Sequence, residues 1–423
     1  MSSPEIFRIA VRKFDPFESA IQTQWEGFVR ATGIRMDLEA VPFDLHHLYN
    51  ALFVQEGLAR GTWDAALVST DWMAAAAEQE CLTDLAPKLK ADPPAGYPEA
   101  WMPSLLRMQV VGEHILGVPY HNGPECLLFR NDLFKDPTER RNYQERFGEP
   151  LRVPQTWEEF SRVAFFFQRP EKHLYGAAFA AFPDGHNTVY DFLLQLWTRG
   201  GELFGDDGSV RFATPEAEAA LEFYRSMLTN GDAVHPDCRE MDSVQSGVAF
   251  ATGEVALMVN WFGFATMAET VEWSRVKGLV DVAPVPCTDR GTPISLNSYW
   301  ILSIARGSSR QETAYEFLKF CMSPEMDQLL TLAGGTGCRR STWSNPEITK
   351  RIPAYHKLEE LHARTRDLPF RTDWPEIASR IDNVMVQTIN SNRSIRDILI
   401  EADTRLLKSG PGQCSPRSDR AQT

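Results

Sequence analysis

The chain has 423 residues, more than one ordinary core accommodates and suited to two or three. Hydrophobic residues make up 43% of it, which excludes wholesale disorder. A formal net charge of −14 argues against nucleic acid as partner, because phosphate contact needs Lys and Arg gathered on one face, and no apolar run approaches the ~18 residues that span a bilayer.

Residues 6–11 form a short apolar run and are predicted to be a strand. No basic region, apolar region or cleavage site precedes it, so a secretory signal is expected either to have been removed or never to have existed. Ile21, Trp25, Phe28 and Val29 follow at helical spacing, and Gly33 supplies a left-handed stop. Ile34, Met36, Leu38 and Ala40 then alternate with charged residues, as in a half-buried strand. A helical pattern at 45–53 and a strand at 64–68 complete a strand–helix repeat, which implies a parallel sheet with right-handed crossovers. Ligands of such sheets sit at the C-terminal ends of strands, so the loops at 12–16, 42–44 and 69–72 are candidates.

Residues 84–104 are rich in proline and 136–155 in charge, and both are expected to be irregular. Thr156 with Glu159, Thr214 before Pro215, Ser309 with Glu312 and Ser323 before Pro324 read as helix starts. Strands are expected at 255–259 and 299–304, and a disordered tail at 409–423. The seven cysteines, at 81, 126, 238, 287, 321, 338 and 414, contain no close pair and read mainly as buried thiols.

The most telling stretch is residues 116–134. It starts as a buried strand, breaks at polar and flexible residues between Tyr120 and Pro124, and resumes as a second apolar strand before Asn131. Such a segment can run from one packed body into another, leaving polar side chains at the crossing. It resembles the hinge strand of the ABC-transporter solute-binding proteins of the sugar type, the relatives of maltose-binding protein. Further blocks resemble the same family in the same order: residues 61–68, 82–85, 154–160, 250–258 and 314–320. Trp63 stands where that family usually has Pro, and the segment 334–341 has Cys338 in place of a small apolar residue. The resemblance implies an α/β, two-lobed periplasmic-binding-protein-like (type II) fold with discontinuous lobes. The expected lobes are 1–121 plus 299–335 and 122–298 plus 336–408. It further implies a protein without catalysis, periplasmic or facing the exterior and monomeric. Such a protein captures a sugar between its lobes and docks on ABC permease subunits. A cytoplasmic sugar-binding sensor on the same fold is the alternative, and a carbohydrate-active enzyme the more distant one.

A sugar offers apolar C–H faces and a rim of hydroxyls, so its site needs aromatic plates and planar polar groups. Candidates at predicted strand ends are Asp71, Trp72, Tyr120, His121, Asn122, Asn260, Trp261, Asn297 and Tyr299, with Trp300 equally able to face into the sheet. The resemblance adds His186 in a second-lobe loop, and Arg339 and Arg340, which would favour an acidic sugar. Trp261 leads, because the matching family segment places an aromatic in the cleft, whereas Trp25 and Trp157 lie in helical patterns and read as packing. No cofactor is expected. The glycine run 334–337 lacks the Gly-Lys-Ser/Thr of a nucleotide loop, residues 235–238 lack a partner cluster for a metal, and Gly-x-Ser-x-Gly is absent.

Overall fold

The structure, a computed structural model, describes residues 5–406. The expected tail at 409–423 lies outside them. Strand Glu5–Arg12 lies between two parallel neighbours, Met36–Phe43 and Ala65–Ser69. Trp300–Ile304 runs antiparallel to Ala65–Ser69, and Val118–His121 closes a five-stranded sheet beside it. Helix Asp15–Thr32 crosses over the first two strands. It ends at Gly33, whose φ of 72° is left-handed and whose N–H reaches Val29 O at 2.9 Å. Its apolar stripe places Trp25 on Phe7, ring centroids 4.7 Å apart.

A second sheet has four strands, in the order Val280–Ala283, Glu125–Arg130, Val255–Trp261, Tyr175–Ala178. Adjacent strands of the chain, Val118–His121 and Glu125–Arg130, therefore belong to different sheets, with only residues 122–124 between them. The strand expected to break at 120–124 does cross between bodies. Helix Trp157–Phe167 covers the second sheet, with Trp157 fully buried and its Nε1 donating to Thr198 Oγ1 at 2.9 Å. Helices Asn187–Trp197, Pro215–Asn230, Trp374–Asn390 and Ile395–Leu406 pack together on the same side.

Residues 336–362, grouped with the second lobe from the sequence, touch both sides. Arg340 N donates to Ala100 O, while Tyr355 packs its ring on Phe262 at 5.5 Å.

Three local expectations differ from what folds. Residues 136–155 contain a helix, Pro137–Phe147, capped by the Asp136 carboxylate on Thr138 N and Glu139 N and stopped by Gly148 at φ 76°. Residues 84–104 contain the helix Ala86–Ala91, whose first N–H donates to Asp84 Oδ1 at 2.9 Å. Ser309 and Glu312 make no box: the helix starts at Gln311, without a side-chain cap, and Glu312 extends to Lys88. By contrast Thr156, Thr214 and Ser323 each accept from the third helical N–H as expected.

Candidate binding cleft

A cavity of about 260 Å³ opens where the two sheets face each other. The parallel strands of the first sheet end there, which brings Arg12, Asp44 and Ser69 to its wall as the loop rule anticipates. Trp300 and His121 stand on the neighbouring strands of that sheet. The opposite wall carries Asp184, His186, Asn187 and Tyr190, at the start of helix Asn187–Trp197, together with Asp242 and Trp261. Phe14, Phe17 and Phe264 fill the floor between, with centroids 5.0 Å apart for Phe14 and Phe17.

Aromatic rings are set edge to face around this space. Trp261 meets Tyr190 at 5.5 Å and 85°, and Trp300 meets Trp72 at 5.7 Å and 90°. Each tryptophan is thereby packed near-perpendicular to a neighbouring ring, in the arrangement that favours quadrupole contact. Trp261 and Trp300 both remain partly exposed to the cavity.

A polar bridge crosses the cleft. Asp71, after the strand Ala65–Ser69, faces His186 Nδ1 at 3.2 Å through Oδ2, and Tyr190 O–H donates to the same oxygen at 2.9 Å. Burial alone would raise the Asp71 carboxyl, but the His186 hydrogen bond and charge outweigh it and hold it below the usual range. Burial likewise works against the His186 cation, and Asp71 reverses that, so the imidazole is held above its ordinary pKa. His186 Nδ1 also lies 3.1 Å from the Tyr190 hydroxyl, so the three side chains form one cluster. Arg12 lies 4.0 Å from Asp242 Oδ2, a second charge pair across the cleft. His121 is different: its Nδ1 accepts from Thr336 N at 2.9 Å, and burial pushes its pKa down to about 3, so it is neutral.

Asn122 ties the crossing strand to later segments. Its N–H donates to Thr336 O at 3.1 Å, its Nδ2 donates to Gly337 O at 2.5 Å, and its Oδ1 accepts from His362 Nε2 at 2.9 Å. His362 in turn meets Ser104 Oγ at 2.9 Å and stacks on Trp343. The backbones are tight here. A Cβ added to Gly123 would lie 3.0 Å from Gly263 N.

Of the twelve residues expected at the site, His121, Asn122, His186 and Trp261 line the cavity. Asp71 and Trp72 stand directly behind, against His186. The other six are placed elsewhere. Tyr120 is buried and donates to Gln24 Oε1 at 3.0 Å. Asn260 is held by Ser243 O and Ser246 Oγ, Asn297 by Ser104 O and Asp367, and Tyr299 donates to Gln109 Oε1 at 2.6 Å. Arg339 spends its guanidinium on Met322 O and Ala95 O and stacks over Trp101, while Arg340 pairs with Glu359. Arg12, Asp44, Asp184, Tyr190, Asp242 and the phenylalanines were not among the candidates, although the loops 12–16 and 42–44 and the loop of His186 were flagged.

Residues 17–328 match the family model of the bacterial extracellular solute-binding proteins. The chain belongs to that family. A probable ABC transporter-binding protein of Deinococcus radiodurans is 20% identical over 341 residues, 79% of this chain and 76% of that one. The same fold recurs in maltose-bound MalE3 of T. maritima, with a TM-score of 0.82 and 21% identity over 96% of this chain and 99% of that one. A solute-binding protein of Agrobacterium radiobacter K84, in complex with ribitol, gives 0.83 and 21% over the same shares. The family is one of solute binders, and its relatives share the two-lobed architecture seen here. Among the described residues no helix is long and apolar enough to cross a membrane, and no group of three or more His, Cys, Asp or Glu is placed to hold a metal ion.

Proposed function

We propose that this protein captures a carbohydrate or related polyol in the cleft between its lobes and presents it to the membrane subunits of an ABC importer, without changing it chemically. The observation that carries this reading is the cavity wall itself: Trp261 and Trp300, each braced by a near-perpendicular ring, stand among polar side chains from both sides. That maltose and ribitol occupy two structural relatives supports the same class of ligand. At about 260 Å³ the cavity falls below the roughly 300–1,000 Å³ that drug-sized ligands fill, which favours a small sugar or alditol.

The cleft is spanned by strand crossings at 122–124 and by the Asp71–His186 and Arg12–Asp242 pairs. We take 1–121 with 299–335 as one moving body and 122–298 with 363–406 as the other, with 336–362 straddling them. A ligand closes such bodies only by binding the closed arrangement better. A periplasmic or outward-facing location and a monomeric state accompany the reading. A thermal-shift screen against monosaccharides, disaccharides and alditols tests it, followed by calorimetry. Binding at micromolar Kd or tighter, about −8 kcal/mol, supports it. A panel without a single hit overturns it.

A further inference from the structure

Apolar surface predominates on the cleft wall, and much of it forms one strip. Phe17 and Phe14 begin it at the floor, and Phe14 meets Phe264 at 6.2 Å. Phe264 packs against helix Ser243–Ala251, where a Cβ added to Gly247 would fall 2.2 Å from its ring. Val244, in the first turn of that helix, carries the strip on. Phe182 ends it: its N–H donates to Met241 O at 3.0 Å, just ahead of the helix, and the residue is 42% exposed at the rim. The polar groups of the wall are committed largely to one another. Asn122 is bonded to Gly337 O and His362, Tyr190 and His186 to Asp71, and the Asn187 amide to Asp184. Asp242 accepts from Gln245 N at 2.9 Å and faces Arg12.

We infer that the cleft takes a carbohydrate carrying an apolar substituent, an alkyl or aryl group, which lies along Phe14, Phe264, Val244 and Phe182 while the polyol part meets Trp261 and Trp300. This rests on the carbohydrate reading above and narrows it. Apolar surface left open on the wall of a ligand cavity is surface that the ligand covers. A plain sugar covers it poorly, because a hydroxyl pressed against a phenyl ring gives up water without gaining a partner. An alkyl or aryl group gives up nothing polar and gains by its burial. The enclosed volume of about 260 Å³ suits the sugar, and the exposed rim at Phe182 lets the substituent run outward. Phe14 belongs to the first moving body and Phe182, Val244 and Phe264 to the second, so covering the strip also favours the closed arrangement over the open one.

Matched sets decide it: glucose, mannose and galactose, each with its methyl and phenyl glycosides in both anomers. Covering ~60 Å² of a phenyl ring at about 25 cal/mol per Å² corresponds to roughly tenfold in affinity. Isothermal titration with the full chain is therefore expected to give, for at least one sugar, a phenyl glycoside that binds tenfold or more tighter than the free sugar, with the methyl glycoside between them. Phe182→Ala removes an exposed ring, and Val244→Ala stands in a helix that Ala suits, so both variants are expected to fold. Each is expected to cut the ratio of glycoside to free-sugar affinity threefold or more, with little change for the free sugar. Free sugars that bind as tightly as all their glycosides, or a ratio untouched by both substitutions, overturn the inference while leaving the carbohydrate reading intact. Benzyl alcohol binding as tightly as the phenyl glycosides, or no binding by any member of the sets, overturns both.

Discussion

Replacing Trp261 by Ala removes one plate of the cleft and little else. The side chain stands at the end of Val255–Trp261, half-buried, packed near-perpendicular to Tyr190 and lining the cavity. A tryptophan buries roughly 150–250 Å² when fully covered, so the face offered to a ligand amounts to ~100 Å². At about 25 cal/mol per Å² its loss costs binding ~2.5 kcal/mol, which raises Kd on the order of 50- to 100-fold. The fold loses chiefly the ring contact with Tyr190, about 0.5–1.5 kcal/mol. Calorimetry with the best ligand of the screen, paired with urea unfolding, separates the two effects. A Kd within threefold of the parent, with the fold intact, refutes the placement of the ligand against Trp261.

The bridge between Asp71 and His186 makes stability depend on pH. His186 is held above 6.5 and Asp71 below 3.8, so the pair contributes fully between those values. The contribution fades as pH rises through the elevated His186 pKa, and again as pH falls through the lowered Asp71 pKa. The difference in Tm between the parent and Asp71→Asn is therefore expected to be larger at pH 6 than at pH 8.5; an unchanged difference contradicts the ion pair. Asn122→Ala leaves His362 Nε2 without a partner in a buried site, while Gly337 O keeps Trp343 Nε1, so a loss of about 1–3 kcal/mol is expected in urea unfolding; a cost under ~1 kcal/mol contradicts the junction role. Gly176→Ala places a Cβ 1.8 Å from Ala164 O, so helix Trp157–Phe167 must shift, and a loss of about 1–3 kcal/mol or more is expected in the same assay; near-neutrality contradicts the close packing.

The sequence carried the crossing at 122–124 clearly, because a polar interruption inside a long apolar run has few other uses. It carried the loops of the first wall through the order of strands alone. What it did not carry was facing. Successive residues of a strand point to opposite sides, and at three strand ends the pair divides between core and cavity. Tyr120 turns to Gln24 while His121 faces the cavity; Asn260 turns to Ser246 while Trp261 faces it; Tyr299 turns to Gln109 while Trp300 faces it. Choosing within each pair requires the register, which tertiary contacts fix. Asp184 and Asp242 went unassigned for a related reason. Each is bonded to backbone N–H groups at a helix start, so each reads as an ordinary turn residue until the opposite wall is in view. The helix Pro137–Phe147 was missed because a single buried residue, Tyr143, leaves it without an apolar stripe; its signal lay in the Asp136–Pro137 start and the Gly148 stop.

The most direct measurement is a crystal structure grown with the tightest-binding member of the screen. The ligand is expected between the sheets, with a ring or carbon chain against Trp261 and Trp300 and a hydroxyl within hydrogen-bond reach of His186. Density for the ligand on an outer surface, with the inter-lobe cavity holding only water, contradicts the account.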